Sequence, residues 1–302
     1  MNRDLHISEV KNATSLRFNT LWKQNYQTNH SAILKNPGIL VLRKRFDGVP
    51  GIVVGAGPSL EKNIALLNRV SGKAVIIASD AAMKPLLQHG IIPSFVISLD
   101  PQDDILKFFT GENTQRMILV APSVVHPRIL DLWAGRVLFY HQHAPDISVL
   151  TQIQNLSPKI GVLTPGGTVL SVACDLAFQM GCNPILFLGQ DLAWAGKTTH
   201  SRLGSAGDVP FESTLIRQQE NIVYEEDIFG KKLATLKSMS VSKEWFHWAF
   251  ANWDRGTPIT YLNCSESGIM KKGCVVLPFR EAIYKYCRKK VNVEWTLKKA
   301  LK

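Results

Sequence analysis

Three groups of residues in this chain have the types and spacing to do chemistry. The first is the stretch "GIVVGAGPSL" at positions 51–60. Gly55 and Gly57 let a backbone approach a ligand closely, and the helix start that follows favours an anion. Pro58 suits a first helical position, where its missing N–H costs nothing, and Ser59 completes the turn. Leu60 stands where a dinucleotide fingerprint has its third glycine, and no Lys-Ser/Thr follows to make a Walker loop. A tight turn without a ligand is the alternative.

The second group is Ser79, Asp80 and Asp100. Both carboxylates close strands, where they can bind a ribose hydroxyl or a metal, and helix capping competes for Asp80. In "SLDPQDD" the residue two before Asp100 is Ser98, so the acidic pair that would project together from one strand is incomplete. The third group is Gly166, Gly167 and Thr168, a second anion cradle at a helix start, with Gln190, Asp191 and His200 beyond it. A histidine near an aspartate in a polar loop is a candidate general base. His141 and His143 could share a strand end as metal ligands, but with no assured carboxylate partner they are read as structural, and no metal site is assigned.

The elements that must hold these residues are short. "GIVVGAG", "KAVIIAS", "SFVISLD", "RMILVAP" and "RVLFYH" read as buried strands, with helices between them such as "SLEKNIALLNRV", "AAMKPLLQHG" and "PRILDLW". "GGTVLSVACDLAFQMGC" is a further helix, "NPILFLGQDLAW" a strand and turn, "AGKTTHSRLGSAGDVPFES" a candidate active-site loop, "SVSKEWFHWAFANW" an aromatic helix and "PITYLNCSESG" a strand with a polar turn. Apolar strands alternating with helices predict an α/β fold, a Rossmann-like doubly wound, mostly parallel sheet with helices on both faces. Ligands in such sheets sit at the carboxyl ends of the strands, where the three groups fall.

Composition narrows the class. Of 302 residues, 45% are hydrophobic and 20% charged, as in ordinary globular proteins. No apolar run reaches the ~18 residues of a membrane span, and "MNRDLHISEV" lacks the apolar stretch of a secretion signal. Five cysteines, odd in number and without a CxxC pair, favour reduced thiols and a cytoplasmic location. The formal net charge is +11, and "YKYCRKKVNVEWTLKKALK" holds seven Lys or Arg against one Glu. Such a stretch can meet nucleic acid or an acidic surface. With no zinc-finger spacing or RRM signature beside it, it is read as a solvated helix and nucleic acid as a minor hypothesis.

Four blocks in order, "GAGPSLEKNI", "AVIIASDAAMKPLLQHGIIPSFVISLDP", "GGTVLSVACDLAFQMGCNPILFLGQDLAW…KTTH" and "YLNCSESGIMKKGCVVLPFREAI", resemble the central domain of the motility accessory factor (Maf) flagellin glycosyltransferases. The resemblance runs from about Gly51 to Ile283. It extends to the 6-hydroxymethylpterin diphosphokinase (MptE-like) superfamily and implies a fold like that of bacterial sialyltransferases. It implies transfer of a nonulosonic acid of pseudaminic, legionaminic or sialic type from a CMP-activated donor to Ser or Thr of flagellin or a similar acceptor. Under it, Gly55, Gly57, Pro58, Ser59, Ser79, Asp80, Asp100, Gly166, Gly167 and Thr168 lie at the donor nucleotide, as do Asn263, Ser265 and Glu266 of the "NCSESG" turn. Gln190, Asp191 and His200 face the reacting sugar, with His200 the expected base because imidazole titrates near neutral pH. No cofactor is expected beyond the nucleotide sugar itself.

The same resemblance carries an alternative, a Mg-ATP-dependent diphosphokinase acting on a pterin-like alcohol, which the incomplete acidic pair at Ser98 weakens. A non-catalytic nucleotide-binding module is the third reading. The expected organisation is a helical lead-in over 1–45, a nucleotide-binding domain over 46–285 and a basic segment over 286–302.

Overall fold

The computed structural model describes residues 3–194, 198, 200–203 and 211–301. Its strands are β1 (Gly51–Val54), β2 (Val75–Ser79), β3 (Phe95–Ile97), β4 (Ile118–Pro122), β5 (Arg136–Gln142), β6 (Val162–Leu163), β7 (Ile185–Leu188), β8 (Ile222–Glu226), β9 (Lys232–Leu236), β10 (Tyr261–Asn263) and β11 (Val275–Val276). The helices are α1 (Arg3–Lys35), α2 (Leu60–Asn63), α3 (Asp80–Gln88), α4 (Leu106–Phe109), α5 (Pro127–Leu132) and α6 (Ser148–Leu156). They continue with α7 (Val169–Gln179), α8 (Phe211–Arg217), α9 (Lys237–Asn252), α10 (Phe279–Tyr286) and α11 (Val293–Ala300).

Among the described residues nine strands form one sheet in the order β11-β10-β7-β1-β2-β3-β4-β5-β6. Every pairing in it is parallel. Period-2 alternation fills both faces. On β1, Val53 packs into the core that holds α7 and α9, while Ile52 and Val54 face the opposite core under α2, α3 and α10. The doubly wound α/β architecture expected from the strand-helix alternation is therefore the one observed. Strands β1 to β6 extend the sheet in one direction and β7, β10 and β11 in the other, so the topological switch lies between the carboxyl ends of β1 and β7.

Three elements differ from the sequence reading. The helix expected over "SLEKNIALLNRV" is one α-helical turn followed by a 3-10 segment over Ile64–Val70. Asn63 breaks it at φ −120°, its side chain donating to the Cys264 carbonyl, yet Leu60, Ile64, Leu67 and Val70 still share the buried face. The antiparallel hairpin β8–β9 has no counterpart in the sequence reading. The helical lead-in expected over 1–45 is an α-helix only as far as Lys35, and its Leu16 is 86% exposed.

The face that α1 buries is instead Trp22, Asn25, Tyr26, Asn29 and Ile33. Asn25 Nδ2 donates to the carbonyls of Pro101 and Val124 at 2.9 and 3.0 Å, and Asn29 Nδ2 to those of Ser123 and Val125. Those carbonyls belong to the loops after β3 and β4. Two buried amides thus satisfy four carbonyls left open where strands end, and they lay α1 across the carboxyl ends of the sheet. That is the end where the candidate residues collect.

Candidate active site at the carboxyl ends of the strands

The glycine turn after β1 is built against the loop after β7. Gly55 N–H donates to the Leu188 carbonyl at 2.8 Å and Gly57 N–H to the Gly189 carbonyl at 2.9 Å. A Cβ on Gly55 would stand 2.6 Å from the Gly189 oxygen, and one on Gly57 would stand 2.6 Å from both that oxygen and Asp191 Oδ2. The close approach these glycines permit is therefore to the chain's own backbone. The Ser59 N–H donates to Asp191 Oδ2 at 2.8 Å. The anion seated at the turn is thus the Asp191 carboxylate. Pro58, expected at a first helical position, lies just ahead of Ser59, which stands at the N-cap position of α2 without a side-chain capping bond.

Asp191 and Gln190 are 2% and 1% exposed. Burial pushes the Asp191 carboxyl up to about 6, against the opposing pull of Ser59 and Lys62. Among the described residues its Oδ1 and the Gln190 Oε1 have no hydrogen-bond partner, two buried acceptors side by side in sequence. The backbone around them is fixed from three sides. Gln190 N–H donates to Ser265 Oγ at 3.0 Å. Thr235 Oγ1 of β9 donates to the Leu192 carbonyl, and Trp194 N–H to the Ala234 carbonyl. Gly268, at φ +86°, lies so close that a Cβ there would be 2.2 Å from the Asp191 oxygen.

The turn after β10 acts as a brace. Asn263 Oδ1 accepts from the Ser265 N–H and its Nδ2 donates to the Met270 carbonyl, so both ends of that buried amide serve the chain. Glu266, at φ +56°, accepts from the Phe279 N–H at the start of α10, and its carbonyl accepts from Lys62. Ser265, held by Asn263, therefore positions Gln190, while Glu266 ties the turn to α10 and to Lys62.

The second cluster forms at the ends of β2 and β3. Ser79 Oγ caps α3 by accepting from the Ala82 N–H at 3.2 Å. Asp80, buried beside it, accepts from the Ala81 N–H through Oδ1 and from the Ser98 hydroxyl through Oδ2 at 3.1 Å. Burial first, and the nearby Asp100 second, push its carboxyl up to about 6. Ser98, conspicuous in the sequence as a missing acid, is here the donor that holds Asp80, and the Tyr140 hydroxyl donates to its carbonyl. Asp100 is held by the N–H and the side-chain amide of Gln102, which in turn accepts from Arg17 of α1.

The third cluster is the start of α7. Gly166 N–H donates to Ser171 Oγ, and Thr168 shares a hydrogen bond with Ser242 of α9 at 3.2 Å. The Trp245 ring lies against Gly166, where a Cβ would be 2.2 Å from its Cδ2. Gly167 is the exposed member of the pair, at φ +92°. Trp245 and Ser242 were not singled out in the sequence, because aromatic spacing on a helix reads equally as core.

His200 is half-buried, and burial together with Lys107 of α4 holds its imidazole below the ordinary range. Its neighbour Ser201 donates through N–H to the Ala56 carbonyl inside the glycine turn at 2.8 Å, and its hydroxyl donates to Glu61. This brings the histidine to the β1 turn. Residues 195–197, 199 and 204–210 of the glycine-rich loop lie outside the described residues. His141 is internal, bonded to the Ser123 hydroxyl and the Ser157 carbonyl, while His143 is exposed. No group of three His, Cys, Asp or Glu side chains among the described residues is arranged to hold a metal.

Comparison with known proteins agrees with this architecture. The chain aligns with a Maf glycosyltransferase of Magnetospirillum magneticum AMB-1 at a TM-score of 0.62 and 20% identity, over 87% of this chain and 40% of that one. Two uncharacterized proteins of Treponema pallidum (strain Nichols) are similar in sequence. One is 27% identical over 188 residues, 61% of this chain and 32% of the relative; the other is 32% identical over 91 residues, 30% and 42% respectively. The chain thus spans about a third to two fifths of the length of these relatives. No helix among the described residues is long and apolar enough to cross a membrane. The model of the family described as 6-hydroxymethylpterin diphosphokinase MptE-like matches residues 24–197, more than half of the 302. The glycine turn, the β2 and β3 ends and the β7 loop all fall inside that match, and the chain belongs to the MptE-like family.

Proposed function

We propose that this protein is a glycosyltransferase that moves a nonulosonic acid from a CMP-activated donor to a Ser or Thr hydroxyl of flagellin or a similar protein. The observation that carries the reading is the pair of buried acceptors, Gln190 Oε1 and Asp191 Oδ1, that have no partner among the described residues at the topological switch. Acceptors call for a ligand that brings hydrogen-bond donors, such as sugar hydroxyls or a base amine. With Asp191 already seated on the Ser59 N–H, the donor phosphate is met elsewhere. The start of α7, where Thr168 makes no side-chain cap and Gly167 is exposed, suits it. The likeness to a Maf glycosyltransferase supports transfer of a sugar, and the acceptor is carried over from the resemblance of the four sequence blocks.

In this reading the reaction is a direct displacement at the anomeric carbon. The acceptor hydroxyl loses its proton to His200, the carbon–oxygen bond to the phosphate breaks, and CMP leaves. An imidazole held below its ordinary range is neutral near pH 7 and able to take that proton. His200→Ala is expected to lower turnover by about 10²–10⁴-fold while sparing CMP affinity. The rate should rise with pH through a limb below the ordinary histidine range. Release of CMP from a CMP-nonulosonate, with and without acceptor, is the measurement. Unchanged turnover in the variant would remove His200 from the role of base.

One observation favours a second reading, a magnesium-dependent diphosphokinase: Asp80 and Asp100 stand close enough for one to raise the other. Consumption of ATP with a hydroxymethyl-pterin acceptor, abolished by a chelator, would establish it in place of sugar transfer.

A further inference from the structure

The end of the sheet opposite the candidate site gathers a cluster of exposed basic side chains. Helix α11 lies across the amino-terminal ends of the strands. Val291 N–H just ahead of it donates to the Gly72 carbonyl below β2, and Leu301 beyond it accepts from Arg136 at the start of β5. Its apolar side, Val293, Leu297 and Ala300, packs into the core. The outward side presents Lys298 and Lys299, and the segment leading to it presents Arg288, Lys289 and Lys290, all exposed. Arg116, ahead of β4, comes within electrostatic reach of Glu294. Arg43, Lys44 and Arg45, also exposed, follow the 3-10 turn at Ile39–Leu42 that packs on α11. Glu294, the one acid of α11, is already paired with Lys298 at 3.0 Å.

Charge alone would make this a solvated face. Two exposed aromatics distinguish it: Tyr284 is 77% and Trp295 54% exposed. Each carries a cation on its ring, Arg288 at 4.7 Å and Lys299 at 3.9 Å from the centroid. A nucleic-acid strand recognised by stacking needs open ring faces along a groove. Here each ring is covered by a cation, Tyr284 near the end of α10 and Trp295 on α11. Aromatic rings interleaved with Lys and Arg suit the headgroup region of an anionic bilayer, where the rings sit at the interface and the cations meet phosphates. We infer that the α11 face is a peripheral docking surface for an anionic lipid membrane, which would leave the carboxyl-end site directed away from the bilayer.

Cosedimentation of the whole chain with vesicles of phosphatidylcholine alone, or with phosphatidylglycerol added, tests this. Binding is expected only with phosphatidylglycerol, falling steeply with added salt. The double charge reversal Lys289→Glu, Lys290→Glu should weaken partitioning by about 25-fold or more, since each basic residue near the surface contributes about fivefold. Trp295→Ala should weaken it with the salt dependence retained. Lys23→Glu, exposed on α1 at the opposite end, should leave it unchanged. Circular dichroism confirms that each variant is folded. Equal binding to neutral vesicles, absence of binding, or an unaffected double variant would overturn the inference. So would capture of a single-stranded RNA oligonucleotide under conditions where anionic vesicles are ignored.

Discussion

Asp80→Asn is expected to make the protein more stable at neutral and alkaline pH and, under the proposed function, worse at holding CMP. The Asp80 carboxyl is raised from 3.8 to about 6 by burial. Between those values the folded chain keeps a proton that the unfolded chain has released. The native state therefore loses stability as pH rises through about 6, and the loss persists above it. Asparagine removes the buried charge, and the Ser98 hydroxyl can turn to accept from the new amide. The gain near pH 8 should be about 1–3 kcal/mol, vanishing near pH 4 where aspartate is also neutral. If Asp80 accepts a ribose hydroxyl, CMP affinity should fall about tenfold, the value of a hydrogen bond to a charged group. Thermal melts at the two pH values and CMP titration read both effects. A melt at pH 8 that is unchanged or lower would mean that the charge is compensated in the folded state.

Gly268→Ala should produce the largest loss of stability among single-methyl changes at the site. Its φ of +86° disfavours any side chain, and the new Cβ would meet three atoms of Asp191, the nearest at 2.2 Å. Those atoms are backbone, held by β9 through Leu192 and by Ser265 through Gln190. Left-handed strain and overpacking together should cost about 3 kcal/mol or more. Gly256→Ala is the comparison: it shares the left-handed backbone, at φ +75°, but has nothing within 4 Å of its Cβ. It should cost only about 1–2 kcal/mol. Urea unfolding of the two variants separates the terms. Equal losses would show that the loop after β7 yields to Gly268, and that Asp191 is not rigidly positioned.

The sheet was legible because its signals are local. β1, β2, β4 and β7 are apolar runs closed by glycine, serine or proline, and the helices between them keep one apolar face. The hairpin β8–β9 was not legible: "IVYEE" and "KLATL" are half polar, and the pair packs on α9 and on the β7 loop rather than within the nine-stranded sheet. The site was legible as residue types at strand ends but not as partnerships. Ser59 meets Asp191 across 132 positions, and Asp80 meets Ser98 across 18. A glycine turn looks the same in sequence whether a phosphate or a second loop lies against it. Only the contact with Gly189 and Asp191 distinguishes the two. Ser98 was visible as a departure from an acidic pair, while its function as the donor to Asp80 required the strand register that sets β2 beside β3.

The central claim is that the carboxyl-end site receives a CMP-activated sugar. Isothermal calorimetry with CMP and with ATP, each titrated in magnesium and again in chelator, tests it most directly. The account predicts CMP binding that is indifferent to magnesium and weakened by Asp80→Asn. Binding of ATP alone, and only with magnesium, would contradict it.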